Sequence, residues 1–398
     1  MTPSTRLDSP ALPPEPADLV ERVAALSREK FAPRAAQYDE DSSFPFENYQ
    51  DLREAGALAM TVPAKYGGPG VDLLTYTRCL LEIAKGCPST ALTFNMHAHV
   101  ISTFLNGLAS EEQKRHYFKE ALEKGKLFAA ITSEPESSWR DRFVVRTRFR
   151  PEGDGYRVDG VKHFCSLGDA ADYYFVSGLV EGHESAADGI LSAVIPREGS
   201  GITVERPWNG TGMRATTSHT IRYDTRVTPD QIVGSPGQLF TLDMSEFPIG
   251  YAATYLGIAD AAFEYIVEYV KTKKLSSTSD TMRQSPLTQR SIGEMATQLR
   301  AARLLVYEAA TLHGSGSREQ VALAVNQAKY LAGEVGTQVT LQAMRMAGGS
   351  GFLKDMPLER WHRDSLGGPV MPPAGDRCLE TIGRIWCDLP LRGALEFE

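Results

Sequence analysis

Several short stretches of this chain carry side chains that could do chemistry. Thr132-Ser133-Glu134-Pro135 closes a predicted strand, and Phe164-Cys165-Ser166 comes one hairpin later. Together they supply hydroxyls and an aromatic ring, able to bond the heteroatom edge of a flat ring system and to cover its face. Taken singly, the same Ser and Thr residues cap turns and strand ends equally well. Gly348-Gly349-Ser350-Gly351-Phe352 follows a long helical run. Glycines let a backbone approach a phosphate and aim N–H groups at it, although a helix C-cap and turn gives the same pattern. Glu246 opens a long helical run as a first-turn acid favoured by the helix dipole, and Asp376 reads as a loop or cap acid.

These residues need elements to position them. From Leu19 to about Leu127 the pattern is helical. Leu74, Thr77, Leu81 and Ala84 share one stripe, and Ser110-Glu111-Glu112-Gln113 reads as a capping box opening a helix through Ala121. Between Phe128 and about Gly234 the period falls to two. Phe143–Phe149, Tyr156–Val161, Tyr173–Ser177, Ile190–Ile195 and His219–Tyr223 are expected strands, with tight turns at Gly153-Asp154-Gly155 and Asp159-Gly160. From Glu246 the helical period returns, with Ala252, Leu256, Ala259, Phe263 and Ile266 on one face. Ile292, Met295, Leu299, Ala302 and Val306 form the next, across a polar, Ser- and Thr-rich stretch from Lys273 to Pro286. Helices, strands and helices in blocks predict an α+β subunit and disfavour alternating βαβ units; no GxGxxG occurs. The expected parts are a loose tail over 1–16, an N-terminal α-helical domain over 17–127, a central β-barrel-like domain over 128–235 and a C-terminal four-helix bundle over 236–398.

Composition narrows the function. With 398 residues, 42% hydrophobic and 23% charged, the chain can bury a large core. Its 50 acids outnumber 42 bases and no long basic block occurs, which argues against nucleic-acid binding. Five scattered cysteines without CxxC spacing argue against a disulfide framework and a zinc site, so no metal is expected and a reducing cytoplasm fits. No apolar run approaches the roughly 20 residues a bilayer crossing needs.

The order of the motifs resembles the acyl-CoA dehydrogenase superfamily. Phe44-Pro45-Phe46-Glu47-Asn48-Tyr49, Leu52-Arg53-Glu54-Ala55-Gly56 and Thr61-Val62-Pro63-Ala64-Lys65-Tyr66-Gly67-Gly68 are similar to its opening helices and first loop. Ser133-Glu134-Pro135 resembles its Thr/Ser-Glu-Pro flavin segment, Gly160–Ser166 the strand whose aromatic and Ser/Thr flank the flavin, and Gly212–Thr216 its Gly-x-Arg-x-Ser/Thr turn. Tyr255–Ala262, Gly348–Phe352 and Arg363-Asp364 match in turn, so the resemblance runs from about residue 20 over nearly the whole chain. It implies FAD as cofactor. Ser133 and Ser166 would bond the flavin, with Thr132 in the same segment, and Phe164 would pack beside it where many members have Trp. Gln289 would lie near the adenosine portion, and Arg345 with Gly348 and Gly349 near the pyrophosphate of a neighbouring subunit's FAD. A homodimer or homotetramer, an acyl thioester substrate and an acceptor such as an electron-transfer flavoprotein follow from the same resemblance.

The proton acceptor departs from the family pattern. Removing an α-proton next to a thioester requires a base, yet the usual glutamate position falls on Pro372. A subset of the family keeps that glutamate near the start of the first helix of the last domain. Glu246 lies there, one residue off, with Phe247 in register, and is the expected catalytic residue. Glu136-Ser137-Ser138-Trp139-Arg140-Asp141 replaces the usual glycine-rich loop, and Phe247 or Pro248 replaces an arginine often found there. The leading expectation is an FAD-dependent α,β-dehydrogenation of an acyl-CoA or another acyl thioester. The alternative is a flavin-dependent monooxygenase of the same fold, which needs no such base.

Overall fold

The computed structural model describes residues 17–135, 145–274 and 280–391. The tail over 1–16, the segment Glu136–Asp141 and the first two residues of the expected strand Phe143–Phe149 lie outside that range.

The first part is helical: α1 Ala17–Leu26, α2 Ala32–Asp41, α3 Phe46–Glu54, α4 Leu73–Gly86, α5 Pro88–His99, α6 Asn106–Leu108 and α7 Glu111–Lys124. The stripe Leu74, Thr77, Leu81 and Ala84 is buried along α4. Ser110 and Gln113 form the expected capping box, each bonding the other's backbone N–H, and Gly125 ends α7 in the left-handed conformation. Beyond His99 the chain turns on through a π-helical segment, Val100–Leu105. Such a segment adds a residue to a turn and rotates everything after it about the axis.

The middle part is an eight-stranded mixed sheet: β1 Phe128–Ile131, β2 Arg148–Glu152, β3 Gly155–Cys165, β4 Tyr173–Val180, β5 Ile190–Pro196, β6 Ile202–Arg206, β7 His219–Val227 and β8 Ile232–Val233, with α8 Ala186–Gly189 between β4 and β5. The order is β6-β7-β3-β2-β4-β5-β8, with β1 added to β4. Pairs β1–β4 and β2–β4 are parallel, and the rest are antiparallel. β7 alternates buried and exposed residues from Ile221 to Val227, as a one-sided strand should, whereas β4 is buried almost throughout. Gly153-Asp154 does turn β2 into β3. Asp159-Gly160 does not turn at all: it lies mid-strand, and a Cβ at Gly160 would sit 2.7 Å from the Thr147 Cα. That glycine permits a close crossing of backbones, which is the other reason a strand carries one.

The last part comprises α9 Glu246–Thr272, α10 Pro286–Leu312, α11 Arg318–Ala347, α12 Leu358–Ser365 and α13 Gly375–Trp386. α9 is buried without a break from Pro248 to Ala262. It is apolar on all sides because α4 and α5 pack against it from the first part while α10, α11 and α12 pack from the last. At roughly 1.5–3 kcal/mol per fully buried large aliphatic side chain, Leu256, Ile258 and Ile266, all 0% exposed, fix this helix as the common wall. Its first turn is thereby held against the end of α5.

Candidate active site

Sheet, bundle and first part meet around one cavity of about 890 Å3. On one side are Thr132, Ser133 and Glu134, where β1 runs out, and Phe164 and Ser166, where β3 does. The two strand ends are tied together twice. The His163 N–H donates to the Ser133 carbonyl at 2.9 Å, and Lys162 Nζ donates to Glu134 Oε1 at 2.7 Å, with the two side chains 1% and 3% exposed. Glu134 also accepts from the backbone N–H of Arg146 and of Thr147, and Lys162 with these donors holds the carboxylate below its ordinary range despite burial.

The register of β3 on β7 shifts between Lys162 and Cys165, a bulge that swings Phe164 outward. Its φ is 54° and its side chain is 55% exposed, in the wall of the cavity. A positive φ on an aromatic residue costs on the order of 1–3 kcal/mol and is characteristic of ligand sites. Ser166 begins a chain of hydroxyls: its Oγ lies 2.8 Å from Ser218 Oγ, which lies 2.7 Å from Thr216 Oγ1, which donates to the Met213 carbonyl. Trp208 packs edge-on near Phe164, with centroids 6.1 Å apart. Exposed aromatic, hydroxyl edge and bare backbone fit a flat ring with polar margins such as an isoalloxazine.

Opposite these strands lie Leu92 and Met96 of α5, Phe247, Pro248 and Tyr251 of α9, the loop from Leu366 to Ala374, and Arg377 and Arg384 of α13. Phe247 and Pro372, the residues that the sequence resemblance puts at the two expected positions for a base, are thus both in the wall. Glu246 is not. It borders a second, smaller cavity of about 220 Å3 with Asn95, His99 and Ser102. Its Oε2 accepts from Ser102 at 2.6 Å and Thr103 at 2.9 Å, while His313 Nε2 lies 3.4 Å from Oε1. Burial opposes its ionisation, but the hydrogen bonds from His313, Ser102 and Thr103 help bring its pKa down to about 2. Glu246, the residue expected to take a substrate proton, therefore faces the small cavity: one step of the helix, about 100° of rotation, separates it from the wall of the large one.

Among the described residues, the carboxyls that line the large cavity are Glu134, Glu380 and Asp364. Glu380 pairs with Arg377. Asp364 accepts from the Met213 N–H at 2.6 Å, and burial pushes its pKa up to about 6, near the range of a useful acid or base. Arg363 grips Asp39 with both Nη atoms, at 3.0 and 2.6 Å, binds Glu359, and donates to the Thr211 carbonyl. Arg214 donates to the Asp39 carbonyl at 2.8 Å. First part, sheet and bundle therefore share one junction beside the cavity.

Gln289, Arg345, Gly348 and Gly349 are all exposed and border neither cavity. A Cβ on Gly348 or Gly349 would meet nothing within 4 Å. Asp376 sits exposed in the first turn of α13. Sequence reasoning missed Ser218 of the hydroxyl chain and the role of Lys162, because an isolated hydroxyl and one strand lysine carry no local signal.

A helical part, a mixed sheet and a helical bundle around a cavity with hydroxyl and aromatic walls define a flavoprotein oxidoreductase. Family descriptions of the acyl-CoA dehydrogenase N-terminal, middle and C-terminal domains match residues 13–124, 129–225 and 244–374. The short-chain specific acyl-CoA dehydrogenase of Rattus norvegicus mitochondria is 30% identical over 346 residues, covering 85% of this chain and 82% of that protein. The chain belongs to the acyl-CoA dehydrogenase family, whose cofactor is FAD. The fold is similar to that of butyryl-CoA dehydrogenase from Megasphaera elsdenii, with a TM-score of 0.86, 24% identity and coverage of 96% of this chain and 100% of that one. It is also similar to dibenzothiophene monooxygenase from Paenibacillus sp. A11-2, with a TM-score of 0.83, 22% identity and coverage of 96% and 99%. Among the described residues no helix is long and apolar enough to cross a membrane, and no group of three or more His, Cys, Asp or Glu is placed to hold a metal ion.

Proposed function

We propose that this protein catalyses the FAD-dependent α,β-dehydrogenation of an acyl-CoA or another acyl thioester in the 890 Å3 cavity. The observation that carries the reading is the convergence of Thr132, Ser133, Phe164 and Ser166 on that one cavity, with their strands locked by Lys162 and Glu134. FAD, when bound, supplies the two-electron acceptor. The Ser133 and Ser166 hydroxyls and neighbouring backbone orient its ring edge, Phe164 covers a face, and Leu92, Met96 and Tyr251 exclude water from the acyl side. Gln289, Arg345, Gly348 and Gly349, exposed and away from the cavity, are proposed to serve the adenosine and pyrophosphate of FAD in a second copy. That arrangement makes the working form a homodimer or homotetramer. A cytoplasmic setting and an acceptor such as an electron-transfer flavoprotein complete the reading.

A second reading rests on a specific observation. With Phe247 and Pro372 at both customary base positions, the cavity suits a flavin monooxygenase, which abstracts no α-proton. Anaerobic titration of the FAD-loaded protein with a panel of acyl-CoAs, followed by flavin absorbance, separates the two. Bleaching is expected. No bleaching by any thioester, together with oxygenation supported by supplied reduced flavin, refutes the dehydrogenase. Repeating the titration with Asp364→Asn and Glu246→Gln identifies the proton acceptor, which should slow by roughly 10²–10⁴ when replaced. Mass spectrometry of released cofactor returning FMN alone, or light scattering finding an FAD-bound monomer, would contradict the cofactor and assembly assignments.

A further inference from the structure

The small cavity of about 220 Å3 lies on the other side of Phe247 from the large one, along the same seam between α5 and α9. Leu92 and Met96 of α5 face the large cavity; Asn95 and His99, three residues on from each along the helix, face the small one. The Phe247 ring stands between, its centroid 4.8 Å from the His99 ring and 4.6 Å from that of Tyr251. It is only half-buried, and its carbonyl is held by Asn95 Nδ2 at 3.1 Å. The helices come this close because residue 250 is glycine: a Cβ there would lie 1.8 Å from Asn95 Oδ1.

Chemically the small cavity is acceptor-rich. Glu246 Oε2 already takes two hydroxyls, but Oε1 has only His313 Nε2 at 3.4 Å. Burial pulls the pKa of His99, 4% exposed, down to about 4, and its Nδ1 has no partner among the described residues. Asn95 Oδ1 accepts from the Tyr76 hydroxyl at 2.8 Å and keeps a second lone pair. A carboxylate oxygen held only by His313 at 3.4 Å, beside a buried imidazole nitrogen with no partner among the described residues, has room for a further donor, and a buried carboxylate favours a cationic one.

We propose that the small cavity receives the far end of the acyl group and that this end carries an amino group, which Glu246 and His99 bind once the Phe247 ring turns aside. This inference rests on the dehydrogenase reading above, but its test does not. The probes are CoA thioesters of matched length, at several lengths, that end in methyl, hydroxyl or ammonium. Their binding to the FAD-loaded protein is measured by calorimetry, and flavin reduction is recorded separately.

At the length that spans Phe247, the ammonium-tailed thioester is expected to bind at least about tenfold more tightly than its methyl analogue. Glu246→Gln should erase that preference. His99→Phe, which keeps the ring contact and removes the nitrogens, should reduce it, and serves if the first variant fails to fold. Equal binding of all tails, preference for the hydroxyl over the ammonium, or a preference that survives both substitutions overturns the inference. Absence of flavin reduction with every probe overturns the dehydrogenase reading instead and leaves the binding ratio to judge the tail site.

Discussion

Lys162→Met tests whether the Lys162–Glu134 pair holds the two strand ends that carry the proposed flavin contacts. The substitution leaves a carboxylate whose side chain is 3% exposed with, among the described residues, the N–H groups of Arg146 and Thr147 as partners. Removing one member of a buried pair costs about 3–5 kcal/mol, because the other charge remains buried and unpaired. Lys162→Met with Glu134→Gln removes both charges while the amide oxygen still accepts the two N–H bonds. Its cost should fall to about 1–2 kcal/mol, as for a lost neutral hydrogen bond and imperfect packing. The two substitutions are therefore strongly non-additive. Urea midpoints of the FAD-loaded variants measure this. The pH dependence has a definite sign: in the parent, Glu134 is held below its ordinary pKa and stays ionised at pH 5, whereas in Lys162→Met burial raises it. The single variant's deficit should therefore shrink as pH falls from 7 to 5, because its Glu134 takes up a proton. A single-variant cost below about 1 kcal/mol, additivity with Glu134→Gln, or a deficit indifferent to pH would refute the reasoning.

Three further outcomes are expected. Phe164→Ala should weaken FAD binding by roughly 3- to 10-fold, the value of one aromatic contact, as measured by flavin fluorescence on titration; unchanged affinity removes Phe164 from the site. Arg345→Ala should weaken it by about tenfold to a hundredfold through loss of a charge-assisted contact, with the far-UV circular dichroism spectrum unaltered; full FAD retention would remove the neighbour-subunit role. Lys329 donates to the carbonyls of Gly368, Met371 and Pro373 behind the cavity loop, and burial pulls its pKa from 10.5 down to about 8. Between those values the unfolded chain keeps a proton that the folded chain has shed, so this group adds stability as pH rises, up to roughly 3 kcal/mol. The stability difference between parent and Lys329→Met should accordingly grow from pH 8 to pH 10, and a flat difference contradicts it.

Much of the architecture was legible because it is periodic. The apolar stripes of α4 and α9 repeat through several turns, and Ser110 with Gln113 is a self-contained local device, so the sequence pattern and the coordinates agree on them. β6 and β8 were not legible: β6 is exposed almost throughout and β8 is two residues long, leaving neither with an alternation to read. Asp159-Gly160 carries the composition of a turn, but its glycine answers to Thr147 on another segment, which no local window contains. The site divides the same way. Thr132, Ser133, Phe164 and Ser166 reach one cavity as expected from their motifs. Glu246 misses it because on a helix one residue of register decides which wall a side chain faces. The π-helical turn over Val100–Leu105, which brings Ser102 and Thr103 to Glu246, has no sequence signature of its own.

The junction at Arg363 bears on how such chains can be cut and recombined. Asp39 comes from the first part, Thr211, Met213 and Arg214 from the sheet, and Arg363 and Asp364 from the bundle, and every link among them is a direct hydrogen bond. α9, meanwhile, is walled by helices of both ends of the chain. Three separately matched segments are thus not three portable modules. A chimaera that takes its sheet from one relative and its bundle from another severs bonds on both sides of Asp39 at once, and inherits two half-junctions designed for absent partners. Exchange between relatives should succeed only where Asp39, the 211–214 turn and Arg363-Asp364 travel together, making these few positions, rather than the segment boundaries, the unit of inheritance.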